Sequence, residues 1–183
     1  NPSLAIGATN DGPTVLEQTS AFTTFATGGE HVSPYLIETI TDKHGNVVYQ
    51  HESEATRVFS QDTAYLTLDI LRDVITDGTG RSINNYLNFN ADWAGKTGTS
   101  EANRDIWFIA STPTVTLSSW MGYDNYKGEH VFYDPNNQGL PTGRNLNYWS
   151  QIANKIYSIN PGILGTDQTH QRRPALGLDD DVA

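Results

Sequence analysis

Residues 93–123 read WAGKTGTSEANRDIWFIASTPTVTLSSWMGY, and this stretch decides the fold. It holds three segments rich in β-branched and aromatic residues, namely Trp93–Ser100, Asp105–Ser111 and Val115–Tyr123. The connections between these segments are short, which favours antiparallel neighbours because parallel strands need a long crossover. We therefore predict a mostly antiparallel sheet with this stretch at its centre.

Helical patterns lie on both sides of the predicted sheet. A capping-box pattern at Thr14–Glu17 opens a first helix, which Gly28 and Gly29 end. Ser60 is placed to cap a second helix, whose apolar residues recur at helical spacing: Ala64, Leu68, Leu71 and Ile75. A third pattern ends at Asn160 and consists of Leu146, Trp149, Ala153 and Ile156. The predicted fold class is α/β of the α+β type, a mostly antiparallel sheet covered by helices.

The remaining segments predict connections. Pro34–Gln50 indicates a hairpin with strands Tyr35–Ile37 and Val47–Tyr49, and Asp134–Gly143 has the Asn, Pro and Gly content of a loop. We expect residues 1–160 to belong to the folded domain. Residues 161–183 carry few large apolar side chains and an aspartate run, so we expect a flexible C-terminal tail.

Composition excludes several classes of function. The 183 residues include 11 Lys and Arg against 21 Asp and Glu, a formal net charge of −10 that argues against nucleic-acid binding through a basic face. The absence of cysteine excludes disulfides, a thiol nucleophile and cysteine-based metal sites. The five histidines form no metal-binding motif, and we expect neither a metal nor a cofactor.

The segment Lys96-Thr97-Gly98-Thr99 is the candidate binding site. In a strand, alternation places Thr97 and Thr99 on one face and Lys96 and Gly98 on the other. Both hydroxyls can then donate to one carboxylate, while Gly98 lets a peptide backbone approach and pair with the strand edge. Spacing alone leaves a second interpretation open, in which Gly95–Gly98 is a turn between strands.

Five strings follow one another along the chain: Gly12–Gln18, Phe25–Gly29, Gly78–Gly80, Ala94–Ser100 and Asn103–Phe108. Together they resemble the C-terminal half of the transpeptidase domain of class A penicillin-binding proteins, over about residues 1–159. Lys-Thr-Gly is the third active-site element of the serine penicillin-recognising enzymes, after Ser-x-x-Lys and a Ser-x-Asn element. No serine here is followed three positions later by lysine, and Ser82–Asn84 and Ser158–Asn160 match Ser-x-Asn by letter only.

The resemblance implies a partial domain of the β-lactamase and transpeptidase type, with the nucleophilic serine in an upstream segment of the same protein. It implies a peptidoglycan D,D-transpeptidase that cross-links stem peptides through a serine acyl-enzyme and is inhibited by β-lactams. Lys96 and Thr99 are then catalytic, with the Thr99 amide in the oxyanion hole, and Thr97, Gly98 and Thr99 bind substrate. The implied setting is the extracytoplasmic face of the membrane, with an anchor upstream, and the implied roles are cell-wall synthesis, cell shape and β-lactam resistance.

Alternative functions remain at this point. A D,D-carboxypeptidase or β-lactamase-like hydrolase uses water in place of the acceptor amine, and a non-catalytic peptidoglycan-binding module lacks the chemistry altogether. We assign Trp107, Trp120 and Trp149 to the core and keep Trp93 as a glycan-contacting candidate. Arg104-Asp105 is expected to form an ion pair or a clasp at the strand turn.

Overall fold

The computed structural model describes residue 7, residues 12–123 and residues 141–170. In chain order its helices and strands are α1 (Val15–Ala26), β1 (Glu30–Val32), β2 (Thr39–Thr41), β3 (Val47–Gln50), β4 (Ala55–Arg57), α2 (Gln61–Thr76), β5 (Ala94–Thr99), β6 (Asp105–Ser111), β7 (Thr116–Gly122) and α3 (Pro141–Ile159). Short 3-10 helices span Arg81–Asn85, Glu101–Asn103 and Pro161–Leu164.

The central sheet has the strand order β5-β6-β7, and both pairings are antiparallel. Its register runs from Ala94 opposite Ser111 to Thr99 opposite Ile106 in the first pair. The strands of residues 93–123 are therefore confirmed, with the ends of β5 and β7 one residue inside the predicted bounds. Two further two-stranded antiparallel sheets pair β1 with β4 and β2 with β3.

Helices cover both faces of this sheet. On one face, a buried cluster joins α1 and α2 to β5 and β6 through Phe22, Leu68, Leu71, Ala94 and Ile109. On the other face, α3 packs on β6 in a larger cluster that includes Phe108, Ala110, Leu146, Trp149 and Ala153. Burying each large apolar side chain contributes about 1.5–3 kcal/mol, so these two clusters fix how the helices sit on the strands.

The predicted helix signals are present where the sequence placed them. Thr14 and Glu17 form a complete capping box at the start of α1, and the Ser60 hydroxyl accepts the Thr63 amide at the start of α2. The buried residues of α2 are those whose spacing predicted it, Ala64, Leu68, Leu71 and Ile75. The predicted fold class, a mostly antiparallel sheet covered by helices, is confirmed.

The hairpin differs from its prediction in the first strand. Asp42 accepts the backbone amides of His44 and Asn46 at 2.8 and 2.9 Å, which fixes a tight turn. Pairing starts beside that turn, so β2 is Thr39–Thr41 and the predicted strand Tyr35–Ile37 is wrong. Those three residues have no strand opposite them and are exposed.

The structure also corrects two expected boundaries. α3 begins at Pro141, so residues 141–143 of the predicted loop are helical, since proline is tolerated in a first helical turn. Residues 161–170 of the predicted tail are ordered parts of the fold, because Pro161–Leu164 form a 3-10 helix, Leu164 is fully buried and His170 is 3% exposed. The rest of the predicted loop, 134–140, and of the predicted tail, 171–183, lies outside the described residues.

Candidate functional site

Strand β5 carries every residue of the sequence-predicted site. Lys96 lies opposite Ile109 and Gly98 opposite Trp107, on the sheet face covered by α1 and α2. Thr97 and Thr99 lie on the other face, as strand alternation predicts. The alternative interpretation of Gly95–Gly98 as a turn is wrong, because these residues are paired with β6 throughout.

The outer edge of β5 is open along this segment. Just past its end, the Ser100 amide donates to the Asp105 carbonyl at 3.0 Å. Because bonded and non-bonded residues alternate in an antiparallel ladder, Thr97 and Thr99 direct their N–H and C=O groups away from β6. Within the described residues no strand pairs with that side of β5. The Thr97 and Thr99 amides and the Thr99 carbonyl are therefore available to an extended peptide, whereas the Thr97 carbonyl accepts the Lys96 ammonium.

Both ends of the segment Lys96–Thr99 are exposed, whereas its middle is not. Lys96 and Thr99 are exposed and Gly98 is half-buried, whereas Thr97 is 9% exposed. The Lys96 ammonium donates to the Thr97 carbonyl at 2.6 Å, across the open edge. A Cβ at Gly98 would lie 3.3 Å from the Cβ of Trp107. A side chain at this position would therefore crowd Trp107 and would also block a peptide that approaches the strand.

Two hydroxyls that sequence reasoning missed contact the threonines of β5. Thr79, in the turn after α2, lies with its Oγ1 2.6 Å from that of Thr97. Thr142, in the first turn of α3, lies with its Oγ1 3.1 Å from that of Thr99. The string Gly78–Gly80 was a usable signal for Thr79, whereas Thr142 fell inside the predicted loop and had none.

The turn between β5 and β6 is closed by a clasp around Asp105. Its carboxylate accepts the Ser100 hydroxyl at 2.9 Å and the Trp120 indole N–H at 3.2 Å. The Asp105 amide donates back to the Ser100 oxygen at 2.8 Å. These contacts form the predicted clasp through Ser100 and Trp120, and the clasp fixes the end of β5 next to Thr99.

A charged network fixes the opposite end of the strand pair. Arg72 of α2 makes two hydrogen bonds to the Asp92 carboxylate, one of them at 2.8 Å. The His170 amide donates to Asp92 at 2.8 Å, and its ring nitrogen Nε2 donates to the Ser111 carbonyl at 3.1 Å. Asp92 lies two residues before β5 and Ser111 ends β6, so one network holds both strands.

The network also shifts the protonation of its members. Burial disfavours the Asp92 anion, but hydrogen bonds from Arg72 and the His170 amide outweigh it and hold the pKa of Asp92 below its usual value. Burial lowers the pKa of His170, which favours the neutral ring. The hydrogen bond to Asp92 raises the pKa of Arg72, so the pair is ionised at neutral pH.

Other sequence candidates serve the core. Trp93 is 4% exposed and packs edge-on against Trp149, so the glycan-contacting role is wrong. Asn84 of the Ser82–Asn84 match donates to the Ile75 carbonyl at 3.0 Å near the end of α2.

Across the described ranges, no group of three or more His, Asp or Glu side chains is placed to hold a metal ion. No helix in the described part of the chain is long and apolar enough to cross a membrane.

Comparison with known proteins gives a consistent set of similarities. The profile of the family described as "Penicillin binding protein transpeptidase domain" matches residues 2–158. The chain is 36% identical over 134 residues to penicillin-binding protein 1F of Bacillus subtilis, which is 70% of this chain and 18% of that protein. It is 35% identical over 125 residues to penicillin-binding protein 1B of Escherichia coli, which is 68% of this chain and 14% of that protein.

A solved structure gives the same result for the fold. The crystal structure of penicillin-binding protein 1A from Haemophilus influenzae superposes with a TM-score of 0.70 at 21% identity, over 96% of this chain and 29% of that one. The chain therefore spans less than a fifth of the length of these two curated relatives and under a third of the solved one.

Proposed function

This chain belongs to the penicillin-binding protein transpeptidase domain family, and on that premise we propose that it forms the substrate-binding half of a peptidoglycan D,D-transpeptidase active site. The open edge of β5 carries the proposal, because Lys96 and Thr99 are exposed there beside outward-facing backbone groups. An extended peptide ending in a carboxylate fits that edge by backbone pairing, by the Lys96 cation and by the exposed Thr99 hydroxyl.

The proposed reaction uses a serine from an upstream segment as nucleophile. Its oxygen attacks the carbonyl of the penultimate D-alanine, the terminal D-alanine leaves as an amine, and an amine of a second stem peptide then displaces the serine from the ester. No metal or cofactor enters either step. A β-lactam acylates the same serine, and the second step, displacement of the serine by an amine, does not follow.

Each residue of the segment has a distinct task in this proposal. The Lys96 charge favours the anionic ligand and lowers the cost of deprotonating the serine. Thr97 and Thr99 pair with the substrate backbone, and the Thr99 amide donates to the developing oxyanion. The Thr99 hydroxyl donates to the terminal carboxylate, and Gly98 leaves the space through which the peptide approaches.

The rest of the proposal concerns the protein from which the chain comes. The matched relatives are several times longer than this chain, which supports an upstream segment that supplies the serine. An anchor in that segment would hold the domain at the extracytoplasmic face of the membrane, where its peptidoglycan substrate lies. Penicillins and related β-lactams are the expected inhibitors.

Intact-mass measurement after incubation with benzylpenicillin tests the proposal. The chain alone should gain no adduct, because it has no Ser-x-x-Lys. The same chain joined to its upstream segment should gain one acyl group per molecule. A stoichiometric adduct on the isolated chain would mean that one of its own serines is the nucleophile and that the half-site assignment is wrong.

Product analysis then separates the alternatives. With a D-alanyl-D-alanine donor and an amine acceptor, a transpeptidase forms a cross-linked peptide as well as free D-alanine. A carboxypeptidase releases D-alanine without cross-linking, and a β-lactamase turns the penicillin over. A non-catalytic module binds the donor peptide and does none of these.

A further inference from the structure

The first turn of α3 places a hydroxyl against the exposed threonine of the candidate site. The Oγ1 atoms of Thr142 and Thr99 are 3.1 Å apart. Thr142 is half-buried and Thr99 is exposed, so the pair has one side in the protein and the other at the open edge of β5. Neither the motif Lys-Thr-Gly nor the strand pattern points to Thr142.

The direction of this hydrogen bond follows from counting protons. A threonine hydroxyl has one proton to donate and two lone pairs with which to accept. If Thr99 donates its proton to a ligand carboxylate, its bond to Thr142 must run the other way, with Thr142 as donor. The Thr142 proton is then accepted by a lone pair of the Thr99 hydroxyl oxygen. This orients the Thr99 O–H towards the ligand and strengthens its hydrogen bond to the ligand carboxylate by polarisation.

Buried contacts hold Thr142 in place relative to the strand. Asn145, one helical turn further along α3, is fully buried and donates to the Ile106 carbonyl at 3.1 Å. Its side-chain oxygen accepts the Ser119 hydroxyl at 2.8 Å. Ile106 is the residue opposite Thr99 in the sheet, so the start of α3 is tied to the same point of the strand pair that carries Thr99.

From this geometry we infer that Thr142 is a positioning residue, which directs the Thr99 hydroxyl at the carboxylate of the bound peptide or penicillin. The inference rests on the proposed function. It makes the carboxylate site a joint product of the β5 edge and the first turn of α3, with Thr142 acting through Thr99 and not on the reacting atoms.

The test measures second-order acylation rates in the protein that includes the upstream segment, using benzylpenicillin and its methyl ester. Thr142→Val should slow acylation by the acid about 3- to 10-fold, the range of one neutral hydrogen bond, and leave the ester rate within about twofold. Thr142→Ser keeps the hydroxyl and should restore the acid rate. In a Thr99→Val background, Thr142→Val should cause no further loss, since the hydroxyl that it orients is gone.

Thr63→Val is the matched control. Thr63 also lies in the first turn of a helix, α2, and its hydroxyl oxygen accepts the Ser60 hydroxyl at 2.8 Å, far along the chain from β5. The substitution removes one hydroxyl contact and keeps the β-branched shape, so it should not distinguish the two ligands.

Three results would overturn the inference: equal losses for acid and ester in Thr142→Val, no loss for either, or an undiminished loss in the Thr99→Val background. A wild-type protein that forms no adduct would instead overturn the proposed acyl transfer. Calorimetric binding of the acid and the ester to wild type and Thr142→Val would then decide the positioning role, with the same acid-selective loss expected.

Discussion

Asp92→Asn is expected to destabilise the folded protein far more than Asp69→Asn, although each removes one carboxylate that faces Arg72. Asp92 accepts two hydrogen bonds from Arg72 and one from the His170 amide, and its side chain is 17% exposed. Asp69 lies 3.8 Å from Arg72 with its side chain 54% exposed, one helical turn earlier in α2. The two variants change net charge equally and differ in burial and hydrogen bonding.

The expected magnitudes follow from that difference. Hydrogen bonds to charged groups contribute about 1.5–3 kcal/mol, so Asp92→Asn should cost about that much at pH 7. Exposed ion pairs contribute about 0–1 kcal/mol, which bounds the loss in Asp69→Asn. For a domain of this size 1 kcal/mol corresponds to about 2–4 °C, so Asp92→Asn should lower Tm by about 3–12 °C.

The loss in Asp92→Asn should depend on pH. The pKa of Asp92 is lowered in the folded state, so its ionised form stabilises the fold above the unfolded pKa of about 3.9. That contribution disappears as pH falls through the lower folded pKa. The free energies of unfolding of wild type and Asp92→Asn should therefore differ by the full amount at pH 7 and pH 5. The difference should disappear as pH falls through the pKa of Asp92 in the folded state.

His170 gives a second, separable pH effect. Its pKa is lowered by burial, so the unfolded chain binds a proton near pH 6.5 that the folded protein resists. Stability should fall as pH drops below about 6.5, and His170→Gln should show less of that decline because glutamine does not titrate.

Urea unfolding followed by tryptophan fluorescence gives the free energy of unfolding of wild type, Asp92→Asn, Asp69→Asn and His170→Gln. The probe is suitable because Trp93, next to Asp92 in the sequence, is buried. Equal losses in Asp92→Asn and Asp69→Asn would refute the reasoning, because the network would then contribute no more than a screened surface pair. A loss in Asp92→Asn that is unchanged down to pH 2 would refute the assignment of the effect to an ionised carboxylate.

Three further substitutions test the site and its support. In the protein that includes the upstream segment, Lys96→Ala should slow β-lactam acylation by about 10²–10³-fold, because a preorganised charge is lost. Stopped-flow kinetics measures the rate, and a rate within about twofold of wild type would mean that Lys96 has only a structural role. Thr99→Val should weaken acylation by benzylpenicillin by about 10- to 150-fold while barely affecting its methyl ester. Equal losses for both ligands would mean that Thr99 does not bind the carboxylate. Asn145→Ala should cost about 1–3 kcal/mol in urea unfolding, since it leaves the buried Ser119 hydroxyl unpaired; a loss below about 0.5 kcal/mol would contradict that account.

Features coded by local spacing were predictable from the sequence. The buried face of α2 follows from positions 64, 68, 71 and 75, because a helix repeats every 3.6 residues whatever it packs against. The faces of Thr97 and Thr99 follow in the same way from the two-residue repeat of a strand. Short connections then made β5, β6 and β7 antiparallel neighbours.

Features that depend on distant contacts were not predictable. The segment up to His170 has the composition of a tail, yet the ring of His170 reaches Ser111 and its amide reaches Asp92. These partners are 59 and 78 residues away, and no local pattern encodes such a pairing. Thr142 was missed for the same reason, because its partner Thr99 is 43 residues earlier in the chain.

These distant contacts determine how well the open edge is prepared for a ligand. The network around Asp92 fixes the strand pair at one end, and Asp105 with its clasp closes the other. The short span between them, Lys96–Thr99, has its inner side paired with β6 and its outer side open. Ordering one flexible side chain on binding costs about 0.5–1.5 kcal/mol, and ordering a loop costs additional backbone entropy. A strand that is already held at both ends avoids most of the backbone cost. The edge of β5 is therefore preorganised by this chain's own contacts, so a docking peptide has mainly its own backbone to order.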